Sequence, residues 1–189
     1  MSEFESYYSY LKTRSLIGFL YRRYWLYPRL AKHLHGASLD VGCGLGDMLK
    51  FNRGMMGVDI NPLLVEYCKN LGLNAILMQQ DQLSFSDKSF DSVLLDNVLE
   101  HLTTPEKLLK EINRVLNTNG ILVVGVPGHR GWLSDPDHKI FYDEVTMKEC
   151  IEKLGFQWLC FFYAPTFKSH LMSKRLRQYC IYGIFLRNN

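Results

Sequence analysis

A chain of 189 residues, 47% hydrophobic and 22% charged, is long enough for one domain with a sizeable core, and its composition is neither disordered nor fibrous. The net charge of +3 is unevenly spread: residues 1–36 carry +4, residues 37–152 carry −7 and residues 153–189 carry +6. Cys43, Cys68, Cys150, Cys160 and Cys180 are odd in number and form no C-x-x-C pair, which argues against a disulfide framework or a zinc site and for a reducing compartment.

The N-terminus carries Glu3 and Glu5 and no long apolar core, so no secretory signal is expected. No apolar run approaches the roughly 18 residues of a membrane span. A cytoplasmic location is the resulting expectation. Residues 4–35 read as two helices, with Pro28 starting a further helix through His35 that Gly36 ends. Leu16 to Tyr27 is apolar and aromatic with basic punctuation. The plain reading is a hairpin that covers a sheet and its ligand mouth. The sharper one is an amphipathic surface that lies on a membrane or a lipid-linked substrate.

From residue 38 onward, short apolar runs alternate with helical segments. Strands are predicted at 38–41, 55–59, 74–78, 91–95 and 120–126. Helices are predicted near 46–52, 62–71 and 104–116, the last opening on Thr104-Pro105-Glu106 and ended by Asn119-Gly120. Such alternation predicts a parallel sheet with right-handed crossovers, and ligands outside its C-terminal strand ends. A helix at 145–154, a strand at 156–163, a basic segment at 168–177 and a strand at 179–186 complete the chain.

The chemistry sits in the loops. Ser38-Leu39-Asp40-Val41-Gly42-Cys43-Gly44-Leu45-Gly46-Asp47 is a strand running into glycine at every second position. A dinucleotide loop wants G-x-G-x-x-G and faces a pyrophosphate at a helix N-terminus. Here Asp47 occupies the last glycine position, and two acids flank the loop, which disfavours a pyrophosphate and suits a cationic ligand. Gly57-Val58-Asp59-Ile60 ends a second strand in a carboxylate, which when ionised only accepts hydrogen bonds. Asn61-Pro62 already provides a helix start, leaving Asp59 for another role. Asp81-Gln82-Leu83-Ser84-Phe85 precedes the fourth strand, and Asn97-Val98-Leu99-Glu100-His101 follows it.

In this order the four stretches, over roughly residues 38 to 126, resemble the class I S-adenosylmethionine-dependent methyltransferases, and most closely their small, type-11-like domains. The resemblance implies a Rossmann-like α/β fold with a seven-stranded, mostly parallel sheet of order 3-2-1-4-5-7-6. Its last strand is antiparallel, helices cover both faces, and residues 1–36 form a helical cap on a single domain of 1–189 with its catalytic core at 37–189. It implies S-adenosylmethionine as cofactor and S-adenosylhomocysteine as product. Carried over onto this chain, the cofactor residues are Asp40, Gly42, Cys43, Gly44 and Gly46 in the first loop, Asp59 and Ile60 at the ribose, Asp81 and Gln82 at the adenine, and Asn97.

The acceptor side is less specified. The loop from Pro127 to Tyr142 is too polar for core and too long for a tight turn, so it is expected to line the acceptor pocket. His129 and Tyr142 are its candidate substrate-binding residues. His138 and Tyr142 lie four apart and would share a face if the segment is helical. Methyl transfer to an alcohol or amine needs an in-line acceptor and one base, for which His138 comes first and His101 second. No metal ligand set is read. The stretch Asp96-Asn97-Val98-Leu99 stands where a D/N-P-P-Y/F motif would mark amino methylation of adenine, cytosine or glutamine.

The expected acceptor is therefore a small molecule, or a glycan- or lipid-type group on a carrier. No nucleic-acid partner is expected, since the pI near 8.5 is modest and no recognition motif is present. Basic termini allow peripheral membrane contact. The competing readings are a non-catalytic or membrane-associated module retaining the fold and, more remotely, an NAD-dependent oxidoreductase.

Overall fold

A computed structural model describes residues 3–13 and 15–188; residues 1, 2, 14 and 189 lie outside the described residues. Seven strands form one sheet: β1 (Ser38–Val41), β2 (Met56–Asp59), β3 (Ala75–Leu77), β4 (Phe90–Asp96), β5 (Leu116–Pro127), β6 (Phe156–Ala164) and β7 (Cys180–Arg187). Their order is β3-β2-β1-β4-β5-β7-β6. The first five run parallel, and β7 pairs antiparallel with both β5 and β6. The helices are α1 (Glu3–Lys12), α2 (Leu16–Tyr21), α3 (Tyr27–Leu30), α4 (Asp47–Phe51), α5 (Pro62–Asn70), α6 (Pro105–Val115), α7 (His129–Trp132), α8 (Glu144–Glu152) and α9 (His170–Arg175).

The two-residue period of the strands divides the core. Val93 and Leu95 of β4, with Leu122, Val124 and Val126 of β5, pack with α6 and α8 on one face. Leu94 and Val123 point the other way, into a second cluster with α4, α5 and the N-terminal segment. Strands apolar on both faces belong in a sheet covered on both sides. Helix α6 buries Pro105, Leu108, Leu109, Ile112 and Val115, the stripe that 3.6-residue periodicity demands.

The N-terminal segment follows the plain reading in part. Leu26, Tyr27, Leu30 and Leu34 recur at helical spacing and are buried on the sheet. The break expected at Pro28 is absent. A π-helical turn at Arg22–Leu26 joins α2 to α3 directly, and Pro28 sits in the first turn of α3, where its missing N–H costs nothing. Helix α3 ends at Leu30, short of His35. Ser92, buried in β4, exchanges hydrogen bonds with His35 (Oγ to the carbonyl at 2.9 Å, N–H to Oγ at 3.1 Å), fixing where the segment enters the sheet.

Two other boundaries move. Helix α6 stops at Val115, and β5 begins at once because Leu116 pairs with Phe90. Asn119, at φ 62°, and Gly120 turn within β5 instead of ending the helix. Thr104 is the N-cap residue of α6, yet its hydroxyl makes no cap bond.

The loop between β3 and β4 is stapled by one arginine. Arg114 Nε and Nη2 donate to the two carboxylate oxygens of Glu111 at 2.8 Å, Nη1 donates to the Phe85 carbonyl and to Asp87, and Nη2 also reaches the Leu83 carbonyl. Glu111 in turn accepts from the Leu83 N–H at 3.0 Å. Arg114→Met removes these charged donors while keeping the stem. It should lower stability by about 2 kcal/mol, read as a lower urea midpoint with an unchanged slope. An unchanged midpoint would show that the network contributes nothing net.

Candidate active site

The strand order reverses between β1 and β4, so the loops leaving these strands diverge and open a crevice at their C-terminal ends. A cleft of about 290 Å³ lies there. Its lining includes Asp40, Gly42, Cys43 and Gly44 from β1 and its loop, Asn97, Glu100 and His101 after β4, and Ser134, Asp135 and His138 from the loop after β5.

The first loop is held from behind. The Gly42 and Cys43 N–H groups both donate to the Val58 carbonyl, at 2.8 and 3.0 Å. The Asp59 carboxylate accepts from the Gly44 N–H through Oδ2 and from the Asn61 N–H through Oδ1, both at 2.9 Å. The glycines differ in what they make room for. At Gly46, with φ 68°, a Cβ would run into Cys68 Sγ and Leu73 Cδ1, both at 2.8 Å, so this position serves close packing of α4. At Gly44, with φ 55°, a Cβ would meet only Leu11 Cδ1 at 3.7 Å, so the backbone there is bare toward the cleft. Gly42 packs against Val98, beside the exit of β4.

The floor is rich in carboxylates. Burial pushes Asp40 well above the ordinary carboxylate range, and the nearby Asp96 and Asp59 add to it. Burial also raises Asp59, opposed by the N–H groups of Asn61 and Gly44. Asp47 pairs with Lys50 at 3.1 Å and with Arg22 at 3.6 Å. A cation bound among these groups offsets their mutual repulsion, and a bare glycine backbone admits a close-lying chain. Both features fit the sulfonium-bearing methionine part of S-adenosylmethionine.

Past Asp96 the chain turns sharply. Asn97 adopts φ 55°, which asparagine tolerates, and donates its N–H to the Gly125 carbonyl at 2.9 Å and its side-chain amide to Asp96 at 2.8 Å. Asp96 also accepts from the Tyr182 hydroxyl at 3.0 Å. A 3₁₀ turn at Leu99–His101 follows. Glu100 is 1% exposed, and neither of its oxygens has a hydrogen-bond partner among the described residues. Burial pushes its carboxyl up to about 8. The His138 ring meets the His101 ring edge-on at 4.6 Å, and burial, with His138 beside it, lowers the His101 imidazole. His138 Nδ1 lies 2.8 Å from the Trp132 carbonyl.

Several expected residues lie elsewhere. Gly46, Asp59, Ile60, Asp81 and Gln82 do not line the cleft. Asp59 stands directly behind the loop it holds, and Ile60 is exposed beside it. Asp81, at φ 61°, and Gln82 form a turn beyond β3, which the Met78 N–H ties to the Asp59 carbonyl at 3.0 Å. His129 is exposed and packs edge-on against Phe141 at 5.9 Å.

Tyr142 is displaced most. The segment before α8 is not helical, so His138 and Tyr142 share no face, and Tyr142 enters the main core cluster. In its place the cleft receives Glu100, Arg22, Arg177 and Tyr10, with Arg177 donating to the Tyr10 hydroxyl at 2.6 Å. An acid inside the apolar run Val98-Leu99-Glu100 was the available signal for Glu100. The others depend on long-range packing.

Comparison with known proteins agrees with this geometry. A family model for a methyltransferase domain matches residues 39–124. An uncharacterized protein of Methanocaldococcus jannaschii is 32% identical over 140 residues, 68% of each chain. A Mus musculus protein named probable tRNA methyltransferase 9B is 35% identical over 92 residues, which is 46% of this chain but only 21% of that protein. The crystal structure of an S-adenosylmethionine-dependent methyltransferase from Archaeoglobus fulgidus superposes with a TM-score of 0.74 at 18% identity, covering 98% of this chain and 100% of that one. The switch-point cleft, the bare glycine loop over its carboxylates and these likenesses together place the chain in the class I S-adenosylmethionine-dependent methyltransferase family.

Proposed function

We propose that this methyltransferase acts on the hydroxyl or amine of a small or carrier-linked acceptor. The observation that carries the reading is that one cleft is lined both by the Gly44 loop and by the adjoining His101 and His138. When bound, the cofactor supplies an electrophilic methyl group on a sulfonium. The chain's own part is to hold and orient. Gly44 lets the methionine part lie against backbone, Asp40 and Asp96 favour the positive charge, and Asp59, which holds the Gly44 loop from behind, is assigned to the ribose hydroxyls by family resemblance. Asp81 and Gln82 are assigned to the adenine by family resemblance. Asn97 lines the same cleft at the exit of β4. His138, with a proton on Nδ1 facing the Trp132 carbonyl, presents a free Nε2 lone pair and can accept the acceptor's proton.

A second observation bears on how the acceptor is delivered. Leu16, Ile17, Leu20 and Tyr24 recur at helical spacing on the outside of the N-terminal segment, with Ile17 81% and Tyr24 75% exposed. A ridge of this kind beside a basic segment favours an acceptor presented at a lipid surface.

Titration with S-adenosylmethionine should show saturable binding, and NADH should not. Asp59→Ala should weaken S-adenosylhomocysteine binding roughly ten- to a hundredfold, or about 1.5–3 kcal/mol; an unchanged affinity would remove Asp59 from the cofactor site. His138→Asn should lower kcat about 10²–10⁴-fold while leaving cofactor affinity within about twofold. The assay is methyl transfer from labelled cofactor to panels of hydroxylated and amine-bearing small molecules, lipid-linked glycans and bulk tRNA. Labelling of tRNA alone would overturn the small or carrier-linked reading. Flotation with anionic liposomes should carry the wild type and not Ile17→Asp; equal flotation of both would exclude the ridge.

A further inference from the structure

Glu100, His101 and His138 form a second feature within this cleft, distinct from the cofactor loop. Each offers one ligand atom, and the three atoms lie within 4.8 Å of one another. Glu100 is the more informative member. A carboxylate 1% exposed, with no hydrogen-bond partner for either oxygen among the described residues, lacks the compensation that buried charges require. His138 does not provide it, because its Nε2 stands 3.8 Å from Glu100 Oε1, too far for a hydrogen bond. That gap is close to the spacing of two donors around one ion, since ligand atoms each at about 2.0–2.2 Å from a metal lie roughly 3–4 Å apart.

The surroundings agree. A carbonyl oxygen only accepts, so the Trp132 carbonyl 2.8 Å from His138 Nδ1 fixes the proton there and leaves Nε2 as a lone-pair donor facing Glu100. Imidazoles that bind metals generally hand their other nitrogen to a carbonyl or carboxylate. The two parts of the cluster are also joined, because the Lys139 and Ile140 N–H groups both donate to the Glu100 carbonyl, at 2.7 and 3.1 Å. The loop after β5 is thereby locked onto the turn after β4, with three ligand-type side chains between them.

We propose that Glu100, His101 and His138 bind one divalent transition-metal cation at the acceptor end of the cleft. Two imidazoles and one carboxylate favour zinc, manganese, iron or cobalt over magnesium or calcium. Three protein ligands leave positions open for solvent or substrate, and Ser134 and Asp135 line the same cleft. Resting on the methyltransferase reading, the ion would bind an acceptor hydroxyl and make it more acidic. The hydroxyl proton leaves to water, the oxygen–methyl bond forms, and the sulfur–methyl bond breaks with its electron pair going to sulfur. With the ion bound, His138 Nε2 is a ligand and water takes the proton; His138 serves as the base only in the ion-free chain.

The test uses the full chain, stripped of metal with a chelator and then titrated with cobalt chloride by visible absorption and with zinc chloride by calorimetry. One equivalent should bind. Glu100→Gln and His138→Gln should each weaken binding more than about 100-fold, beyond the 10–100-fold that losing a partner behind a ligand costs. Cys68→Ser and His170→Gln should leave it unchanged, and thermal melts establish that each variant is folded. No saturable binding, or binding that survives Glu100→Gln in a folded protein, overturns the proposal. Titrating S-adenosylmethionine into the same stripped protein separates the two claims: cofactor binding without metal binding sinks the metal site and leaves the methyltransferase assignment standing.

Discussion

The Asp59 carboxylate joins the two loops on which the cleft depends. One oxygen takes the Gly44 N–H and the other the Asn61 N–H, so the end of β2 positions both the loop after β1 and the start of α5. The group is buried, and without those donors its charge would be costly to hold there. Asn61 extends the chain of contacts by capping α5 through the Leu63 N–H and reaching the Phe4 carbonyl of α1 with its amide. A single carboxylate therefore connects strand, glycine loop, helix and N-terminal cover.

The same economy governs the far side of the cleft. Asp96 ends β4, takes the Tyr182 hydroxyl and the Asn97 amide, and thereby ties the exit of β4 to the antiparallel strand β7. Tyr182 stacks on Phe162 at 4.7 Å, and Phe162 on His33 at 5.7 Å, so β6 and the N-terminal segment support that contact from behind. Polar groups at the strand ends are rigid because apolar packing below them is complete on both faces of the sheet.

Where local pattern decides structure, the sequence was readable. Strands β1, β2 and β4 follow from short apolar runs bounded by turn residues, and α5 from Asn61-Pro62. The sheet order came from kinship with the methyltransferases, since periodicity does not order strands. The acceptor side was opaque because its geometry is made by contacts across long sequence distances. Glu100 had no role assigned from its local sequence, and Lys139 and Ile140 return over its carbonyl from 39 and 40 residues on. Tyr142 read as a loop residue, yet it is core because the segment before α8 stays extended and drops its ring between α6 and α8. The helical turns of the N-terminal segment were visible, but their continuity through Arg22–Leu26 was not, since nothing local distinguishes a π turn from a break.

Helix α1 lies over the glycine loop, with Leu11 nearest to the bare face of Gly44. Its contacts with the rest of the chain include the Phe4 carbonyl on Asn61, the Tyr10 hydroxyl on Arg177, and Lys12 over the ring of Tyr67. Terminal helices generally open at lower free energy than the core strands beneath them. A cofactor lying against Gly44 would be exchanged on that side only as α1 moves, a step separate from bond making. The throughput of such a catalyst can be limited by how fast its cover lifts, so changes at Tyr10 or Arg177, which line the cleft and join α1 to the rest of the chain, would alter residence time as well as binding.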